Sequence, residues 1–308
     1  MRIQHIDLNK ELKNLRPIAA CIGYFDGMHI GHQALVKKTV ELAEQYGCES
    51  ALITFDPDPW VTIKGEQDVH HITTMPQRIN LAMQSGIRNI YILNFTKEMS
   101  RLSPHEFVER VLVPCRIQAL VCGFDFHYGF KGQGSGETLK EEGLFDVFIV
   151  DAVSDSGEKI SSTRISALIE AGEVDEAQRL MGHPFEIEGK VIHGRHIGES
   201  LGFPTANIEV DPEYIHPKTG VYACRALIRG KPYMAMVNLG HNPTLNYTPL
   251  LSLEAHILDY EGDLYGQRLI IQFVKYIRPE TNFKNKNNLI MQLELDRQNV
   301  RKVFNALG

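Results

Sequence analysis

The sequence predicts an α/β domain with a doubly wound parallel sheet, followed by a small antiparallel β-barrel with a C-terminal helix. Two observations predict this. The first half alternates short, nearly continuous apolar runs with amphipathic segments, and the second half carries strands of alternating polarity separated by turn residues. The apolar runs lie at 18–22, 51–55, 90–95, 119–122 and 147–150. Parallel strands are covered on both faces, so they read as continuous runs rather than alternations. Helical patterns at 33–45, 76–84 and 104–113 lie between them, the last with Ser103 as its N-cap. Strand, helix and strand in repetition give a doubly wound sheet, whose ligand sits at the carboxyl ends of the strands.

The character of the chain changes at Met181, Gly182, His183 and Pro184, which divides it into domains 1–182 and 183–308. In the second, Leu251, Leu253, Ala255 and Ile257 share one face of a strand and Ser252, Glu254 and His256 the other. Residues 259–266, with Gly262 and Asp263, predict a hairpin turn into a strand at 268–273. Leu289, Leu293, Val300, Val303, Phe304 and Leu307 predict a terminal helix.

Composition removes several function classes. A hydrophobic share of 43% and a charged share of 23% are ordinary for a water-soluble globular protein. A net charge of -6, with no long basic run, argues against a nucleic-acid partner. The five cysteines (Cys21, Cys48, Cys115, Cys122, Cys224) are scattered without a C-x-x-C pair, a pattern of reducing compartments. With no signal-peptide core and no apolar run of about 18 residues, the expected location is the cytoplasm and no membrane partner is expected. The residues carry no signal for an oligomeric state. His70 and His71 fit no metal spacing and read as surface residues.

The most informative stretch is Gly23-Tyr24-Phe25-Asp26-Gly27-Met28-His29-Ile30-Gly31-His32, between a strand and a helix. A helix N-terminus presents unpaired N–H groups that suit phosphate, imidazoles add donors, and glycines let the backbone approach. The decad resembles the HxGH motif of the nucleotidyltransferase superfamily, whose members join a nucleotide to a phosphorylated substrate and release pyrophosphate. No G-x-x-x-x-G-K-[ST] occurs, so ATP would not be held by a P-loop. Gly132-Gln133-Gly134-Ser135-Gly136 places Glu137 where a dinucleotide fingerprint needs glycine, and reads as a flexible loop. Ile160-Ser161-Ser162-Thr163-Arg164 precedes a helix; its hydroxyls and N–H groups suit a triphosphate, with Arg164 adding charge, although a plain helix cap has the same residues.

Together these segments resemble the GxFDGxHxGH and ISSTxIR motifs of bacterial bifunctional riboflavin kinase/FAD synthetases. Residues Thr54 to Pro59 and Gly123 to Gly129 resemble two further motifs of that family, and the similarity extends over nearly the whole chain. In the second half, Gly202-Phe203-Pro204-Thr205-Ala206-Asn207 resembles the flavokinase PTAN motif, Gly189, Lys190, Val191 and Gly194 its glycine-rich lead, and Asn242-Pro243-Thr244 a further segment. The resemblance implies a nucleotidyltransferase domain followed by a flavokinase barrel. ATP and Mg²⁺ would be cofactors, and riboflavin, FMN and FAD substrates or products.

The resemblance also implies roles. Gly23, Phe25, Asp26, Gly27, Gly31, Asp125, Ser162, Thr163 and Arg164 would bind ATP, and His29 and His32 would stabilise phosphate charge. Tyr128, Arg278 and Phe283 would face the flavin; for Asp125 and Tyr128 the sequence leaves adenine and flavin both open. Thr205 and Asn207 would hold Mg²⁺ through oxygen atoms, and Glu254 would be the base that frees the riboflavin hydroxyl. Four positions depart from the family: Asp58 replaces His, Ser166 replaces Arg, Tyr128 replaces Phe while keeping an aromatic face, and Glu199 replaces Arg beside the kinase phosphate site. Two rival functions follow, an FMN adenylyltransferase with an impaired kinase half and a non-catalytic flavin-binding regulator.

Overall fold

The computed structural model describes residues 2–10, 12, 15–65, 69–194, 198, 201–242 and 250–307. The chain divides into two units, Met1–Val69 with Thr73–Ser161, and His70–Ile72 with Ser162–Gly308.

In the first unit come β1 (Arg2–Ile6), β2 (Ile18–Ile22), β3 (Glu49–Asp56), β4 (Asn89–Asn94) and β5 (Ile117–Gly123). A hairpin of β6 (His127–Tyr128) and β7 (Gly134–Ser135), then β8 (Asp146–Val150), then a hairpin of β9 (Ser154–Asp155) and β10 (Glu158–Lys159) complete it. Its helices are α1 (Ile30–Gln45), α2 (Pro59–Lys64), α3 (Met75–Gln84), α4 (Pro104–Phe107) and α5 (Gly136–Glu142). The main sheet runs β1-β4-β3-β2-β5-β8, with every neighbouring pair parallel.

The apolar runs are continuous because each strand feeds two cores. Ile18, Ala20 and Ile22 pack on one face with Phe107 and Val111, while Ala19 and Cys21 pack on the other with Val36 and Leu42. From β2 the chain winds outward through β3 and β4 on one side and returns to β5 on the other. The order therefore reverses at β2 and β5, and the decad leaves the carboxyl end of β2 at that switch point. After α4 the chain continues in wider helical turns over Val108–Leu112, within the span predicted as one helix.

The glycine-rich segment predicted as a flexible loop is structured. Gly134 lies in β7 and Gly136 begins α5, capped by the Ser135 hydroxyl, which accepts from the Thr138 N–H. A β-carbon at Gly134 would collide with the Tyr128 ring, so glycine serves close packing there.

The second unit carries α6 (Ser162–Ala171), α7 (Val174–Met181) and strands β11 (Glu186–Ile192), β12 (Ala206–Val210), β13 (Gly220–Ile228), β14 (Lys231–Asn242), β15 (Leu250–Ile257) and β16 (Arg268–Arg278), ending in α8 (Lys286–Ala306). The strands close a barrel in the order β11-β12-β15-β14-β13-β16, and all pairs are antiparallel. Helices α6 and α7, ahead of the expected boundary at 182/183, group with this barrel, and Asp175 of α7 pairs with Lys275 of β16.

The predicted hairpin at 259–266 is a crossover instead: β15 pairs with β12 and β14, β16 with β11 and β13. Barrel closure needs β16 beside β11, and Gly266 and Gln267 already bond to Val191. Helix α8 lays Leu293, Val303 and Phe304 on Val221, Ala223 and Met236, whereas Leu307 is exposed. Among the described residues, no helix is long and apolar enough to cross a membrane.

Candidate functional sites

The decad forms a tight elbow between β2 and α1. Phe25, Gly27 and Met28 take φ values of 60°, 74° and 36°, in the left-handed region that costs non-glycine residues free energy. The surroundings hold them there. Phe25 is buried and meets the His32 ring edge-on at 5.2 Å. The Asp26 carboxylate turns inward, where its Oδ1 accepts from the Thr73 N–H and hydroxyl, each at 2.9 Å. The Gly27 N–H donates to Thr73 Oγ1 at 2.9 Å. The Phe25 and Asp26 side chains, both expected at ATP, brace the elbow from within.

His29 caps α1, with its Nδ1 accepting from the His32 N–H at 3.3 Å. The two rings stack, with centroids 3.7 Å apart. Burial, with Lys159 adding to it, brings the His29 pKa down to about 4. Burial, with His29 and Arg78 nearby, holds His32 well below its usual range. Both imidazoles are therefore neutral at pH 7. In His29, Nδ1 is an acceptor, so the ring proton sits on Nε2, which becomes a donor. His32 Nδ1 is sealed from solvent with no partner among the described residues. A β-carbon at Gly31 would stand 3.0 Å from the His29 ring, close enough that the stacked pair would have to shift.

The chain leading to the Ser162 segment passes beside this elbow, the Ile160 carbonyl lying 3.9 Å from the β-carbon position of Gly31. Lys159, which sequence reasoning missed, pairs with the exposed Asp125 and lies over the Phe124 ring at 4.8 Å. Ser162, Thr163 and Arg164 open α6, with Thr163 exposed and the other two half-buried. Ser166, one turn on, is half-buried as well. The departing Asp58 has a local explanation: it N-caps α2, its Oδ1 accepting from the Trp60 N–H at 2.7 Å.

Tyr128, expected at the flavin, is buried; its ring packs on Phe107 and Phe126, and its hydroxyl meets Thr138 Oγ1 at 3.2 Å.

In the barrel, strand register assembles the polar residues. Glu254 stands directly opposite Asn207 on β12 and opposite Asn238 on β14. Residues opposite each other in an antiparallel pair share a face, with β-carbons about 4.5–5.5 Å apart. The three therefore form one polar row across three strands. Asn238, also missed from the sequence, donates from Nδ2 to Glu280 Oε1 at 3.4 Å. A β-carbon at Gly194 would collide with the Asn207 side chain, and one at Gly198 would lie 3.2 Å from Thr205 Oγ1. The glycine-rich lead thus lies against both expected magnesium ligands. His256, expected on a solvated face, is buried with Nδ1 at 2.9 Å from the Pro204 carbonyl.

Arg278 is held rather than open. Its Nε and Nη2 bond the fully buried Asp296 carboxylate at 3.0 and 2.7 Å, and Nη1 donates to the Pro279 carbonyl at 2.8 Å. Phe283 is half-buried, 5.8 Å from the guanidinium. Glu199, Pro243 and Thr244 lie outside the described residues, as does the Asn242 side chain. His70 is exposed, whereas His71 is half-buried and bridges to Tyr214, so only His70 is a surface residue. No cluster of acidic, histidine or cysteine side chains suited to a metal occurs among the described residues.

Comparison with known proteins adds a separate line. A family model described as FAD synthetase matches residues 11–164, and one described as riboflavin kinase matches 181–304. The chain is 39% identical over 289 residues to a bifunctional riboflavin kinase/FMN adenylyltransferase of Listeria monocytogenes, covering 93% of this chain and 92% of that one. The Bacillus subtilis protein of the same description is 34% identical over 291 residues, covering 93% and 92%. Its Escherichia coli K12 counterpart is 30% identical over 288 residues, covering 92% and 91%. A crystal structure described as a macrolide-efflux protein from Streptococcus pneumoniae superposes with a TM-score of 0.90 at 30% identity, over 97% of this chain and 98% of that one.

Proposed function

The chain belongs to the family of bifunctional riboflavin kinase/FMN adenylyltransferases, and from that premise we propose how its own residues carry out the two reactions. The protein phosphorylates riboflavin to FMN with ATP and adenylylates FMN to FAD with release of pyrophosphate. Residues 183–308 perform the first step and 1–182 the second.

In the kinase step, Glu254 accepts the proton of the riboflavin 5′-hydroxyl as that oxygen attacks the γ-phosphorus of ATP. Asn207 and Thr205 present oxygen atoms to Mg²⁺, which when bound neutralises charge on the ATP phosphates. Phe283 supplies an aromatic face for the flavin, and Arg278, clamped by Asp296, fixes the segment that carries it.

In the adenylyl step the FMN phosphate is already a nucleophile and needs no base. Its oxygen attacks the α-phosphorus, and the bond to the β-phosphate oxygen breaks. The protein's contribution is positioning and stabilisation of phosphate charge. His29 donates from Nε2, the Gly31 amide in the first turn of α1 approaches the phosphates, Gly23 and Gly27 shape the bend with their own amides bonded to Ile53 and Thr73, and Ser162, Thr163 and Arg164 grip the triphosphate. His32 stacks under His29 and fixes its ring, while Asp125 lies at the nucleotide and is tethered by Lys159. Five free cysteines and the net charge of -6 support a cytoplasmic protein whose partners are small molecules, without membrane or nucleic-acid ligands.

The observation that carries this reading is the row Asn207, Glu254 and Asn238, three polar side chains from separate sequence segments meeting on one face. The test is incubation with ATP and Mg²⁺, riboflavin or FMN supplied separately, and chromatography of the flavins. FAD from both substrates supports two working sites. FAD from FMN alone would reduce the protein to an adenylyltransferase, and no conversion from either would leave a flavin-binding regulator.

A further inference from the structure

Arg78 of α3 is a cation in an unusual position, with 3% of its surface exposed. Its Nε and Nη2 donate to the Thr73 carbonyl at 3.3 and 3.1 Å, and Nη1 donates to the Tyr24 carbonyl at 3.3 Å. Nη2 also reaches the Tyr24 hydroxyl at 3.3 Å, and the guanidinium lies 4.2 Å from the centre of the Tyr24 ring. The carboxylate facing it, Asp26, is 3.9 Å away at Oδ1, an oxygen that also accepts both hydrogen bonds from Thr73. Arg78 and Asp26 thus form a buried ion pair at the long end of pairing distance, and taking two charges out of water is costly unless the geometry returns the cost.

That geometry lies at the elbow. Tyr24 enters it, and Thr73 holds Asp26 and Gly27 within it. Between these anchors the chain takes left-handed φ at Phe25, Gly27 and Met28, a strained path that needs support from outside. A planar fork binds two main-chain carbonyls in fixed directions while stacking on a ring, whereas an ammonium is a compact point charge on a flexible stem and does not reproduce that geometry.

We propose that Arg78 is a positioning residue for adenylyl transfer, tying the main chain at Tyr24 to that at Thr73 and so holding the Gly23–His32 elbow in the shape that receives the ATP phosphates. The proposal rests on the reading of that elbow as the adenylyltransferase site.

The test compares Arg78→Lys, which keeps the charge and loses the fork, with Arg78→Ala. FAD synthesis is measured with ATP and FMN varied in turn, and riboflavin phosphorylation is measured on the same preparations. Small displacements of reacting groups cost up to about a hundredfold in rate. Both variants are therefore expected to raise the KM for ATP in FAD synthesis by about tenfold and to lower kcat, with the KM for FMN and the kinase rate within about twofold. Added guanidinium should restore Arg78→Ala in part.

A wild-type KM for ATP in Arg78→Lys would overturn the proposal. So would a fall in kcat with both KM values unchanged, which is what a smaller folded fraction produces. His29→Ala separates the two layers of the argument. If it makes FAD at the wild-type rate, the reading of the elbow fails; if it is inactive while Arg78→Lys is normal, the role of Arg78 fails alone.

Discussion

The elbow after β2 and the polar row on the barrel prepare phosphate chemistry in opposite ways. The elbow is part of the hydrophobic core: Phe25, Met28 and His29 are buried, and burial keeps its histidines neutral. The row on β12, β15 and β14 is half-buried at Asn207 and Glu254, and is set by strand register rather than by packing. A site that needs donors for an already ionised substrate gains from burial, because neutral imidazoles cost less to bury than imidazolium. Glu254, proposed to take a proton, instead stands half-exposed in a row that strand register assembles. The difference teaches that core packing and strand pairing are two independent ways to bring polar groups together from distant parts of a sequence.

The comparison can be broken most forcefully at Glu254. Glu254→Gln is expected to lower riboflavin phosphorylation by about 10²–10⁴-fold while FMN-to-FAD conversion continues, read by flavin chromatography. Equal losses of both activities would remove Glu254 as a kinase-only base. His29→Ala is the mirror image, expected to lower FAD synthesis by about 10²–10³-fold and to let FMN accumulate.

Asp296→Asn tests the ion pair that ties α8 to Arg278 of β16. Leaving Arg278 without its carboxylate is expected to destabilise the second unit by about 3–5 kcal/mol, seen as a lower denaturation midpoint for FMN synthesis than for FAD synthesis. Coincident midpoints would deny the pair that role.

The smallest effect is in pH. His29 titrates at 6.5 when unfolded and at about 4 when folded, so the unfolded chain binds the proton more readily across that interval. Stability of the first unit is therefore complete above pH 6.5 and falls as pH drops toward 4, by at most about 1.4 kcal/mol per pH unit for each such histidine. His29→Asn should flatten the slope in urea titrations at successive pH values. An unchanged slope would mean that other groups govern acid sensitivity.

Much of this was legible in the sequence for definite reasons. The central strands announced themselves because both faces are buried, as Ala19 and Ala20 pointing into opposite cores show. Strand β1 did not, since its exposed edge position leaves Arg2, Ile3 and Gln4 without an apolar run. The decad and the PTAN-like segment stood out because their residue types are tied to local chemistry, whereas Glu254 stood out only through the family resemblance. Arg78, Thr73 and Asn238 were not, because each acts on residues 16 to 54 positions away. Asp296 reads as one more polar residue on an amphipathic helix until β16 brings Arg278 to it. The misread hairpin at 259–266 has the same origin: turn residues report a bend, and barrel closure decides which strand receives the chain.

The central claim is that two separate sites act in sequence through FMN, and a complementation assay tests it most directly. Glu254→Gln alone should convert FMN but not riboflavin to FAD, and His29→Ala alone should stop at FMN. Mixed with riboflavin, ATP and Mg²⁺, the two variants should form FAD after a lag as FMN accumulates. Failure of the mixture to make FAD, while each variant keeps its single activity, would contradict the account.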